Sequence, residues 1–125
     1  MNAHDAVRMA SLFADTYESI QPVHPARGFV GRDQVLTNWS SVFAGVPDFT
    51  AELVASSVDG ATEWGEWDWL GLHTVGSRFR MRGVIILRAQ DGLIREARLY
   101  LEPADESDES VDDSVRKLYR APGAD

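Results

Sequence analysis

The sequence predicts an α+β domain with helices on one face of a curved antiparallel sheet. Up to Gly45 the apolar residues recur at helical spacing, whereas from Phe49 onward they alternate. The alternating runs are separated by "DG", "HTVG" and "QDG", which are hairpin signals. At 125 residues the chain has the length of one domain, with room for a real core.

In chain order, His4 to Tyr17 reads as a helix. Val7, Ala10, Leu12, Phe13 and Tyr17 fall near helical spacing, and Asp5 stands in the first turn, where the helix dipole favours an acid. The segment "QPVHPARGFVG" holds two prolines and two glycines and reads as an irregular loop. "RDQVLTNWSSVFAGV" then reads as a second helix, with Val35, Trp39, Val42 and Phe43 on one face and a stop at Gly45 and Pro47. Four strands follow, at about 49–58, 62–72, 78–88 and 93–101. A last short helix is expected from Val111 to Tyr119. The chain thus divides into a domain at 1–103 and an acidic linker with a short C-terminal helix at 104–125.

The formal net charge of −8 is concentrated in one place. Seven of the 20 acids and no base fall between Glu102 and Asp113, which leaves 13 acids against the 12 bases elsewhere. The domain is therefore nearly neutral, and its tail reads as a solvated linker. Nucleic-acid binding needs a basic stripe, and none exists, so no nucleic-acid partner is expected. No stretch approaches the roughly 18 apolar residues of a membrane span, so no membrane partner is expected either. The first residues carry acids where a signal peptide carries a basic end and an apolar run, which predicts a cytoplasmic protein. With no cysteine there is no disulfide or thiol chemistry. His4, His24 and His73 lack ligand-spaced partners, and Gly28 to Gly31 lacks the lysine and preceding strand of a phosphate cradle. Neither a metal nor a cofactor is expected.

Alternation splits each strand into two faces. In 62–72 one face is Gly65, Trp67, Trp69 and Gly71, and the other is Trp64, Glu66, Asp68 and Leu70. The arrangement that suits every strand turns Trp67, Trp69, Met81, Ile85 and Leu99 inward. A turn centred on Val75 sets Asp68 opposite Arg82 and Trp69 opposite Met81, which makes Glu66 and Asp68 ion-pair partners of outer-face arginines. The outer face also holds Trp64, Leu70, Val84 and Ile86, too apolar to be left wet over a large sheet, so a homodimer through that face is expected.

The stretches "MASLFADTYESIQP", "GRDQVLTNW", "EWDWLGLHTVGSRFRMRGVIIL" and "QDGLIREARLYLEP" together resemble the SnoaL-like branch of the nuclear transport factor 2-like superfamily, over about Asn2 to Pro103. The resemblance implies a cone-shaped curved sheet wrapped by helices, with a deep apolar pocket at its open end. The superfamily spans ketosteroid isomerases, limonene epoxide hydrolases, polyketide cyclases, dehydratases and binding or assembly modules, so the resemblance speaks to fold more than to function. The long first helix usual in the family has no counterpart here, and the sequence begins at the turn that follows it. The oxyanion-stabilising tyrosine of ketosteroid isomerases goes with that helix.

Carried over one position at a time, the family's acids and bases fall on other residue types. The general base of ketosteroid isomerases, just before the proline that closes the first strand, corresponds to Gln21, whose amide takes no proton at neutral pH. Their hydrogen-bonding acid maps near Ile85. The Arg and two Asp of limonene epoxide hydrolases map to Trp67, Trp69 and Leu99. This pattern describes a pocket wall that stacks on a ligand and excludes water.

The expected ligand-binding set is Ser19, Gln21 and Trp39 with Trp67, Trp69 and Met81, completed by Ile85, Leu99 and Leu101. Ser19 and Gln21 are the polar members, placed to orient a carbonyl or hydroxyl. His73, at the end of the Trp face, and His24, between two prolines at the pocket mouth, are the remaining catalytic candidates. Glu63 is a further candidate carboxylate. The expected function is binding of an apolar or aromatic small molecule in a Trp-lined cone, with isomerase, hydrolase or cyclase chemistry open. The alternative is a non-catalytic protein-interaction or assembly module.

Overall fold

A computed structural model of the protein describes residues 1–105 and 107–118. The elements run α1 (Ala6–Ala10), β1 (Phe13–Ile20), a 3-10 turn (Pro25–Arg27), β2 (Phe29–Val30), α2 (Arg32–Gly45), β3 (Thr50–Asp59), β4 (Thr62–Leu72), β5 (Arg78–Gln90), β6 (Leu93–Pro103) and α3 (Val111–Leu118). The six strands form one open sheet in the order β2-β1-β6-β5-β4-β3. Bulges in the β3–β4, β5–β6 and β1–β6 pairings bend it. The four long strands are antiparallel throughout, and β1 joins them parallel to β6.

The expected register holds: Asp68 pairs with Arg82 and Trp69 with Met81. Three expectations need correction. The helix expected from His4 to Tyr17 is only the five-residue α1, capped by Asp5, whose carboxylate accepts from the Arg8 amide at 3.0 Å. From Phe13 the chain is strand, because pairing with β6 and β2 satisfies its backbone while Phe13, Tyr17 and Ser19 turn inward. The segment expected as loop contains the 3-10 turn, pre-set by Pro25, and the two-residue β2 paired to β1. The C-terminal helix ends at Leu118 among the described residues, and Tyr119, its expected last residue, lies outside them.

The core fills the concave side of the sheet. Phe49 is fully buried, and Val35, Val46, Trp69, Ile85, Ala97 and Leu101 close around it, with Trp67, Met81 and Leu99 packed against them. Helix α2 lays Val35 and Trp39 on this cluster. Its first residue is tied to β1, since Arg32 Nε donates to the Phe13 carbonyl at 2.9 Å and Arg32 Nη1 lies 3.1 Å from Asp15. His4 secures the first segment: it stacks on Phe43 with centroids 5.0 Å apart, and its Nε2 lies 2.5 Å from the Phe49 carbonyl oxygen. Among the described residues no helix is long and apolar enough to cross a membrane.

Candidate functional site

Two adjoining cavities open between α1, α2 and the concave sheet face. The inner one, about 190 Å³, is walled by Trp67, Ile85, Leu87 and Ile94 from the sheet and by Met1, Met9 and Leu12 from the first segment. The outer one, about 280 Å³, is walled by Ser19 and Gln21 of β1 and its end, Arg27 and Phe29 of the following loop, Asn38 and Val42 of α2, and Met81 and Leu101. Phe13, Tyr17, Trp39, Trp69 and Leu99 border both, so these five side chains form the partition. Together the cavities reach the lower end of the size range of small-molecule sites.

The partition is aromatic and held edge to face. Trp39 meets Trp69 with centroids 5.2 Å apart at 67°, and Phe13 meets Tyr17 at 4.7 Å and 77°. These arrangements suit the ring quadrupoles. The Trp69 side chain is nearly sealed at 7 % exposure, and its indole nitrogen has no hydrogen-bond partner among the described residues. A buried N–H left unpaired costs free energy.

All nine expected ligand-binding residues border one or both cavities: Ser19, Gln21, Met81 and Leu101 the outer, Trp67 and Ile85 the inner, Trp39, Trp69 and Leu99 both. The two histidines border neither. His73 lies in the β4–β5 turn, where its amide donates to Ser77 and its carbonyl accepts from Gly76, each at 2.8 Å, and its ring leans edge-on against Phe79. The hairpin carries it past the end of the Trp face, which removes the expected reach to the pocket rim. His24 turns to β6, its Nε2 2.6 Å from Glu102 Oε1. Glu63 pairs in register with Leu87 at the far end of β4 and also borders neither cavity.

Tyr17, Arg27 and Asn38 are lining residues that the sequence reading passed over. Burial raises the Tyr17 phenol above its ordinary value, and a hydrogen bond with the Ser19 side chain partly offsets that rise. The phenol is thus a neutral hydrogen-bond donor at physiological pH. Alternation along Phe13, Tyr17, Ser19 and Gln21 is the signal that finds it, once the segment is read with period two. Among the described residues no group of three or more His, Asp or Glu could hold a metal ion.

A larger hollow of about 470 Å³ lies at the β5–β6 turn, lined by Thr16, Glu18, Arg88, Gln90, Arg95 and Glu96. Arg88 lies 3.4 Å from Glu96, and Arg95 donates to the Gln90 side chain. The hollow is a polar, solvated surface. The apolar cavities are the better candidate.

Comparison with known proteins agrees with this architecture. The SnoaL-like domain family matches residues 1–97. No curated protein matches the sequence. Among solved structures, wild-type IdmH of Streptomyces antibioticus, provisionally assigned as a polyketide cyclase, superposes with a TM-score of 0.68 at 21% identity, over 81% of this chain and 83% of that one. An epoxide hydrolase from M. tuberculosis that resembles limonene epoxide hydrolase gives 0.68 at 16% identity, over 81% and 73%. A nuclear transport factor 2-like protein of unknown function from Exiguobacterium sp. 255-15 gives 0.63 at 24% identity, over 79% and 82%. These likenesses extend to the fold, an α+β domain with a curved, open sheet.

Proposed function

Since the chain belongs to the SnoaL-like domain family, we propose that it binds an apolar, ring-bearing small molecule in the paired cavities and holds it against Trp39 and Trp69. The observation that carries this reading is the aromatic partition of Phe13, Tyr17, Trp39 and Trp69, which borders both apolar cavities. The titratable side chains of the lining are Tyr17 and Arg27, so chemistry here would proceed by excluding water and positioning the reactant, with the Tyr17 phenol as a neutral donor. Structures of the same fold include one provisionally assigned as a polyketide cyclase and an epoxide hydrolase, which supports a small-molecule ligand at the level of class only.

We further propose that the protein is a cytoplasmic homodimer formed through the convex sheet face. Trp64 and Tyr100 stand there 51 % and 41 % exposed, with Val84 between their strands. This apolar band is bordered by Asp68, Arg80 and Arg82 on one side and by Arg88, Glu96 and Arg98 on the other. A face of that composition can complement its own copy.

Native mass spectrometry of protein purified gently from its host tests the binding reading. The wild type is expected to carry a defined small adduct, and Leu99→Trp, which fills the partition from the sheet side, is expected to lose it. Equal adduct on both proteins would sink the proposal.

A further inference from the structure

One formally charged side chain lines the two cavities, and it belongs to the outer one. In a chain with 20 acids and 12 bases, no Asp, Glu or His among the described residues borders either space, and Arg27 is the charged side chain of the lining. Arg27 belongs to the 3-10 turn at the mouth, is exposed, and its guanidinium has no partner among the described residues. The carboxylate that approaches this loop, Glu102, is engaged by His24 at 2.6 Å.

The other polar groups that line the same cavity include further donors. Asn38 Oδ1 accepts from Gln34 at 2.7 Å, which orients the amide and leaves its NH₂ group as the available donor. Gln21 adds a second amide, and Ser19, 3 % exposed, a hydroxyl. The facing wall is Trp69, Met81, Leu99 and Leu101, and the inner cavity is apolar apart from the Tyr17 phenol. Polar capacity is thus concentrated on one side of the mouth, around a cation. A carboxylate there stays half hydrated, avoids the cost of full burial, and meets a guanidinium geometry that matches it.

We infer that the ligand is an amphipathic organic anion, with a ring-bearing apolar body in the cavities and a carboxylate at the mouth on Arg27, flanked by Gln21 and Asn38. This rests on the reading of the cavities as a ligand site and specifies which ligands that site prefers. A cationic ligand finds no counter-charge anywhere in the lining.

Naphthalene-2-carboxylate and its methyl ester, titrated by tryptophan fluorescence and calorimetry into wild type, Arg27→Gln and Leu99→Trp, separate the two readings. The wild type is expected to bind the carboxylate about tenfold more tightly than the ester, the effect of one charge-assisted contact. Arg27→Gln is expected to erase that difference while leaving the ester unchanged, and Leu99→Trp to weaken both probes. Equal affinities in the wild type, or equal losses of both probes in Arg27→Gln, would overturn the anion and leave the cavity standing. Absence of binding by either probe, or binding that Leu99→Trp does not alter, would overturn the cavity and the anion together.

Discussion

At Asp68 two guanidinium groups decide the charge. Burial alone would raise its carboxyl, but Arg80 at 3.3 Å and Arg82 at 3.4 Å outweigh burial and hold it below the ordinary value of 3.8. A folded-state value below the unfolded one contributes stability that is present above pH 3.8 and is lost as the pH falls through the folded value. Asp68→Asn is therefore expected to cost about 1 kcal/mol at neutral pH, discounted for the exposure of Arg82. Urea unfolding of both proteins should give midpoints that converge in strong acid; a gap that persists there would assign the loss to packing. This pair was legible in the sequence because a single turn centre fixes every partner across the β4–β5 hairpin. His73 was not, since reach to a rim depends on where a hairpin ends in space, and alternation carries no such information.

At the scale of elements, the long strands were readable and the first was not. In β3 to β6 alternation and glycine turns agree. In β1 the segment "FADTYESI" places Phe13 and Tyr17 four residues apart, a spacing that serves a helix face or one side of a strand equally well. What decides is the partner: Ser19 lies beside Ala97, and Phe13 beside Ile94, in pairings no local window contains. Tyr17, Arg27 and Asn38 escaped for the same reason, because the site lining depends on β1 and its following loop being laid against the sheet. Gly83 shows how tight that lamination is. A Cβ there would lie 2.0 Å from the Tyr100 carbonyl oxygen and 2.8 Å from Leu101 Cα, both backbone. Gly83→Ala is expected to lower stability by about 3 kcal/mol, visible as a fall in Tm, since neither obstacle can rotate away. An unchanged Tm would mean that β5 and β6 separate freely at this point.

For the whole molecule, the two faces of the sheet divide the proposed labour: the concave face encloses a ligand, and the convex face meets a second copy. Trp64 is exposed and can be changed without opening the core, so Trp64→Glu is expected to convert a dimer to a monomer in sedimentation velocity with little change in Tm. A dimer that survives the substitution would remove the convex face from the assembly. The parallel seam between β1 and β6 has a consequence for how the protein is made. Because Phe13 pairs beside Ile94 and Ser19 beside Ala97, β1 has no sheet to join until almost the whole domain has left the ribosome. Throughout that interval the nascent chain displays Phe13 and Tyr17 with an unfilled hydrogen-bonding edge, so this N-terminal stretch is the one most exposed to mispairing during synthesis.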